Sequence, residues 1–255
     1  MEQIRNVAEL LEEKFDQYNC LKFIETDPIS VPHRYKTKED REIAGFLAAT
    51  IAWGQRKSIV QSAQKLMLLM DDAPYDFVMN FREKDLKRFE GFVHRTFNYT
   101  DITVFLYSLK NIFQTHGDIE KVFANGIKMG GMDHAIAHFR NVFFEVPHPL
   151  RTRKHVSNPL QGSSAKRINM FLRWMIRKDG RGVDFGIWES IRPDQLICPL
   201  DVHSGRVARR LGLLKRKQDD WKAATELTEN LRLFDPNDPV KYDFALFGLG
   251  VFEKF

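Results

Sequence analysis

Apolar residues recur at three- and four-residue spacing along nearly the whole chain, and no two-residue alternation runs long enough to build a sheet. This restricts the fold to packed helices, and the sequence predicts an all-α protein. Helices are expected over residues 4–18 and 40–53. The second is almost wholly apolar in its later half (Ala44, Phe46, Leu47, Ala48, Ala49, Ile51, Ala52), which marks it as buried. Gly54 is placed to end it as a left-handed cap, leaving Gln55 and Arg56 in a tight turn. A third helix follows with Ile59, Ala63, Leu66, Met67 and Met70 on one face. Further helices are expected over 75–81, 83–89, 100–116, 119–124, 132–144, 165–178, 220–231 and from 239 onward, with another beginning at Asp201.

A chain of 255 residues can bury one large core or two modest ones without disulfide or metal support. Two helical lobes of a single unit are expected: a first over about 40–145, and a second from about 1–39 together with 146–255. The boundary is suggested by the proline-rich, basic stretch Val146-Pro-His-Pro-Leu-Arg-Thr-Arg-Lys-His155. The two cysteines, Cys20 and Cys198, are far apart and lack any Cys-x-x-Cys spacing, so no disulfide framework, zinc site or iron–sulfur cluster is encoded. His203 and His155 are too isolated to argue a metal site, and the expectation is no metal and no cofactor. No run approaches a membrane span, no leader pattern opens the chain, and a reducing, cytoplasmic location is expected.

The net charge of +5 is modest, but its distribution is not. Residues 151–217 carry 16 Lys/Arg against 5 Asp/Glu, a net of +11, which leaves about −6 for the rest. Such segregation fits a polyanion-binding surface, since phosphate contacts by Lys and Arg supply most non-specific nucleic-acid affinity. A solvated basic surface is the alternative. Within this region Pro159-Leu-Gln-Gly-Ser-Ser-Ala165 reads as a turn, with Ser163 or Ser164 available to cap the helix that follows. That helix has Ile168, Phe171, Leu172, Met175 and Ile176 as its apolar stripe and Lys166, Arg173 and Arg177 on an adjacent face. In the helix after Asp201, Val202, Val207, Leu211 and Leu214 are expected to pack inward, with Arg206, Arg209 and Arg210 projecting from the other side. Arg151, Arg153, Lys154 and His155 are low-specificity phosphate contacts on the same charge argument.

The segment Gln161-Gly-Ser-Ser-Ala-Lys166, followed by Pro199-Leu-Asp-Val-His-Ser-Gly-Arg-Val-Ala-Arg-Arg-Leu-Gly212, resembles the helix-hairpin-helix DNA glycosylase superfamily. There a lysine opening the helix after the hairpin is paired with an aspartate that begins a later helix. The 35 residues from Lys166 to Asp201 resemble the archaeal 8-oxoguanine glycosylase branch more than the endonuclease III-like one. Ala48-Ala-Thr-Ile-Ala-Trp-Gly-Gln55 resembles the superfamily's early helix ending in a glutamine-bearing turn. Over nearly its full length the chain looks still closer to a bacterial group, the domain of unknown function 2400 family, through Pro32-His-Arg-Tyr and Glu42-Ile-Ala-Gly-Phe. That second resemblance brings no activity with it. The first implies a two-lobed helix-hairpin-helix glycosylase-like fold, DNA as partner, Gln55 filling the gap left by an extruded base with Arg56 beside it, and backbone contacts at Gly162, Ser163 and Ser164. The hairpin departs from the superfamily in carrying one glycine where two usually flank an apolar residue.

Chemistry argues separately for the two site residues. Breaking an N-glycosidic bond builds oxocarbenium character on the sugar, which a carboxylate such as Asp201 can stabilise. An amine such as Lys166 can attack C1′ and form a Schiff base that permits later strand cleavage. Asp201 is equally an N-cap, and Lys166 equally a phosphate contact. The expected function is therefore a DNA base-excision glycosylase with possible lyase activity. A non-catalytic nucleic-acid-binding protein and a helical module for an acidic protein partner are the alternatives.

Overall fold

In the computed structural model, which describes residues 2–255, the periodic segments form α1 (Glu2–Tyr18), α2 (Leu21–Ile24), α3 (Lys38–Thr50), α4 (Arg56–Leu69), α5 (Pro74–Asn80), α6 (Tyr99–Asn111), α7 (Ile119–Ile127), α8 (Met132–Phe143), α9 (Lys166–Ile176), α10 (Val202–Arg210), α11 (Trp221–Arg232) and α12 (Asp243–Val251). Short polar side chains begin several of them: Thr37, Asp118, Asp201 and Asp220 each accept a hydrogen bond from a backbone amide of the first turn. Residues 83–89 form a tighter 3₁₀ helix, and residues 112–116 continue α6 as one widened turn ended by Gly117 at φ +93°. The strands are two residues each, β1 (Val93–His94) and β2 (Phe97–Asn98), paired antiparallel. With 64% of the chain helical and 2% in strands, the protein is all-α in class.

The chain divides into two compact units, one formed by Met1–Phe23 with Pro159–Phe255 and the other by the continuous stretch Ile24–Asn158. Both divides fall outside the points read from the sequence, near 40 and 145. On the N-terminal side, residues 28–35 form two short turns packed on α3 and α4, and Arg34 pairs with Asp72 at 2.8 Å. On the other side, Arg151 and Thr152 bond to Asp101 of α6. These contacts span tens of residues and have no local signature.

The continuous unit is built on phenylalanine. Phe46 of α3 stacks on Phe105 of α6 at 5.7 Å, Phe105 meets Phe143 of α8 edge-on at 4.7 Å, and Phe123 of α7 stacks on Phe139 at 4.4 Å. In the discontinuous unit α9 is the central element, with every residue from Ile168 to Ile176 buried, and α12 packs against both α1 and α10. Because α9 is enclosed, Arg173 and Arg177 do not form the basic face that helical spacing suggests. They are 3% and 0% exposed. Arg173 donates to Asp243 at 2.5 Å and to Asp184 at 3.2 Å, and its guanidinium lies 4.1 Å from the Phe244 ring centroid. Arg177 donates to Asp184, Asp238 and Asp179 at 2.6 to 3.0 Å. Charges enclosed this way persist only when each has partners, and these partners come from segments after the helix.

Candidate active site

Three loops of the discontinuous unit meet at the start of α9. The first, residues 159–165, opens with a single 3₁₀ turn (Pro159–Gln161) closed by the Gly162 amide on the Pro159 carbonyl at 2.8 Å. Gly162 then takes φ +89°, a region open to it because it has no Cβ. Neither serine caps α9. The N-cap position is Ala165, buried and held left-handed at φ 49°, ψ 32°, with no side-chain cap. Ser163 Oγ instead accepts from the Ala165 amide at 3.2 Å, which stabilises this unusual conformation, and Ser164 Oγ donates to the Leu200 carbonyl at 3.5 Å. The Ser164 carbonyl accepts from Asn169 Nδ2 at 3.0 Å.

The Ser164 bond ties the first loop to the second, where Asp201 begins α10. One carboxylate oxygen of Asp201, Oδ1, accepts from the His203 and Ser204 amides at 2.8 and 3.0 Å, and Ser204 Oγ accepts from the Asp201 amide at 3.0 Å. The other oxygen, Oδ2, lies 3.4 Å from Lys166 Nζ. Capping and pairing thus use different oxygens of one carboxylate. Each side chain keeps about a quarter of its surface open, 27% for Lys166 and 24% for Asp201. Burial works to raise the Asp201 carboxyl, but Lys166 and the two amides outweigh it and hold it below the usual carboxylate range. Asp201 is therefore an anion at neutral pH.

Asp243, at the first turn of α12, belongs to the same electrostatic group and carries no signal in the sequence. Burial pushes its carboxyl up to about 6, the Asp201 charge adds to the rise, and Arg173 and Lys166 oppose it. The buried Cys198 thiol is raised by the same desolvation, with Asp243 and Asp201 contributing. Among the described residues no group of three His, Cys, Asp or Glu side chains could hold a metal ion, and no helix is long and apolar enough to cross a membrane.

The arginines of α10 are engaged. Arg206 is exposed but donates to the Gly250 carbonyl at 3.0 Å, Arg209 holds the Arg216 carbonyl at 2.8 Å and Asp219 at 2.6 Å, and Arg210 lies over the Phe255 ring at 4.8 Å. Val202 points outward at 73% exposure, against the inward packing expected of it, because it occupies the first turn directly after the cap. Val207 and Leu214 are buried as expected, and Leu211 is half-buried.

The remaining residues singled out by the sequence lie in the continuous unit. Gly54 stands at φ +110°, four residues past the end of α3, and the helix itself closes at Ile51. Gln55 is exposed at the N-cap of α4 with no capping bond. Arg56 reaches Thr26 at 3.4 Å and Asp27 at 3.9 Å, and burial lowers its guanidinium from the ordinary arginine value. Arg151 binds Asp101, Asn98 and the Thr96 carbonyl at 3.0 to 3.2 Å, so it anchors its loop to the start of α6. Arg153 is half-buried 5.7 Å from the Phe144 ring, and Lys154 is exposed.

No curated protein and no solved structure matches the chain. A family model does match, over residues 27–252, and covers both α3 with its preceding turns and the loops that carry Lys166 and Asp201. The chain belongs to the family described as protein of unknown function (DUF2400).

Proposed function

We propose that the protein is a DNA base-excision glycosylase with associated abasic-site lyase activity, working on an extruded nucleotide at the Lys166–Asp201 pair. The observation that carries this reading is the 3.4 Å approach of two helix-opening residues, one amine and one carboxylate, that lie far apart in sequence and are both open to solvent. The anionic Asp201 would stabilise the oxocarbenium character that grows on the sugar as the base departs. The Lys166 amine, its proton passed to solvent, would bond to C1′ through its lone pair while the C1′–N bond breaks. The base would leave with that electron pair and a proton from solvent; the attached amine would then lose a proton, and its lone pair would expel the ring oxygen, which takes up a proton as the sugar opens to the Schiff base. Leu160 of the first loop and Val202 in the first turn of α10, 56% and 73% exposed, supply apolar surface for an unstacked nucleotide.

One observation favours a non-catalytic nucleic-acid-binding protein instead: the amides of His203 and Ser204 already give Asp201 a capping role. Borohydride trapping on duplexes carrying an abasic, 8-oxoguanine or uracil site separates the two readings. A covalent adduct is expected with wild type and none with Lys166→Ala. Asp201→Asn, which keeps a capping side chain, should slow base release by about 10²-fold or more, the scale of removing one electrostatic stabiliser. Wild type that neither forms an adduct nor releases a base from any of these duplexes would leave only the binding reading.

A further inference from the structure

The third loop of the discontinuous unit, residues 211–220 between α10 and α11, forms with the first turns of α11 an open cleft of about 560 Å³ lined by Lys215, Arg216, Lys217, Gln218, Lys222 and Glu226. Four of these six side chains are cationic and one is a carboxylate. The acidic neighbours are occupied. Asp220 caps α11 and is bound by Arg216, Asp219 is held by Arg209 at 2.6 Å, and Glu226 accepts from the Lys215 amide at 2.6 Å. Lys215, Lys217 and Lys222 are exposed, and their ammonium groups form no ion pair among the described residues. Lys222 feels the Asp220 charge, yet three exposed ammonium groups around one cleft still concentrate positive potential there, which favours entry of a polyanion.

The loop is also fixed in place relative to the site. The Trp221 amide donates to the Gly162 carbonyl at 3.1 Å, and Ser163 and Asp220 form an isolated antiparallel bridge. The loop that carries the cleft is therefore joined to the exposed turn at Gln161 and Gly162, which Ser164 in turn joins to the loop carrying Asp201. We infer that Lys215, Lys217 and Lys222 are a binding site for the phosphodiester backbone of nucleic acid, leading along this edge toward Lys166. The site rests on the nucleic-acid reading above. It moves the phosphate contacts from the α10 arginines, which are engaged within the protein, to exposed lysines that form no close ion pair among the described residues.

The test is fluorescence anisotropy of the full chain with a labelled 20-mer duplex over a series of salt concentrations. Each phosphate contact adds about 0.9 to the slope of log K against log salt. The Lys215→Gln/Lys217→Gln/Lys222→Gln variant should lose about 2 to 3 from the slope and bind at least about tenfold more weakly at ~100 mM salt. The corresponding arginine variant should recover both. Lys84→Gln/Lys87→Gln/Lys128→Gln, the same charge change at exposed lysines of the other unit, should keep the wild-type slope. Wild-type binding with a slope unchanged in the cleft variant, or equal losses in both glutamine variants, would overturn the site and leave the proposed activity standing. Displacement of the duplex by poly-L-glutamate as effectively as by unlabelled duplex would assign the cleft to an acidic protein. Absence of wild-type binding at low salt would overturn both proposals together.

Discussion

Asp201 and Asp243 lie in one electrostatic neighbourhood and are displaced in opposite directions, because burial prevails at Asp243 and is outweighed at Asp201. Asp201 has two backbone amides and Lys166, whereas Asp243 is enclosed with Arg173 and feels the Asp201 charge. The consequence for stability follows from proton linkage. A carboxyl raised in the folded state binds its proton more tightly there than in the unfolded chain. Its contribution is complete below the unfolded value, near 4, and is lost as pH rises through about 6. Asp243→Asn removes that titration and leaves Arg173 its bond to Asp184. Between pH 4 and pH 7, wild type should therefore lose about 2–3 kcal/mol relative to the variant, read from urea midpoints at a series of pH values. Parallel profiles would mean that Asp243 titrates in the fold as it does in the unfolded chain. At this scale the sequence is informative where roles are local. The Asp201 cap could be read because its partners are two and three residues away, whereas the Asp243 environment is assembled from α9, α10 and α12 and leaves no mark on its own neighbours.

At the scale of the element, α9 illustrates how periodicity can be right about a helix and wrong about one of its faces. The apolar stripe from Ile168 to Ile176 is buried as the spacing predicts, and a single exposed basic face would be its ordinary complement. The helix instead lies at the centre of its unit, so the opposite face must be covered too, and four aspartates reach it from residues 179, 184, 238 and 243. Replacing Arg177 by Met removes one partner of this network and strands Asp184 and Asp238 with fewer donors. Leaving a buried charge uncompensated typically costs 3–5 kcal/mol, far more than an exposed ion pair returns. Arg177→Met should accordingly lower the unfolding free energy by about 3 kcal/mol or more in urea titration. A loss under about 1 kcal/mol would show that the aspartates are solvated or protonated when the arginine is gone. The same enclosure makes the charge of residues 151–217 a poor guide to surface field, since two of its cations are internal and several others bind carbonyls or carboxylates.

At the scale of the whole molecule, the chain leaves one compact unit after Phe23 and returns to it at Pro159, so that α1 and α12 from opposite ends of the sequence must find each other. Gly248 sits at their contact. A Cβ built there would overlap the Tyr18 ring, which cannot swing freely because its hydroxyl donates to Glu253 at 2.6 Å and its face stacks on Phe252 at 5.4 Å. Two effects of Gly248→Ala compete. Alanine gains up to about 1 kcal/mol of helix propensity, while overpacking costs about 1–3 kcal/mol and displacement of the ring forfeits its hydrogen bond and stacking. The net expectation is a loss of about 1–2 kcal/mol. In a Tyr18→Leu background the clash is removed, and the same glycine substitution should be neutral or stabilising. A double-mutant cycle on urea midpoints measures this directly, with a coupling energy above about 1 kcal/mol expected for residues in contact. Additive effects would mean that α1 and α12 are free to move apart at this point, and the closure of the unit would then rest on the α10–α12 contact and the network around Arg177 rather than on the fit between the chain's two ends.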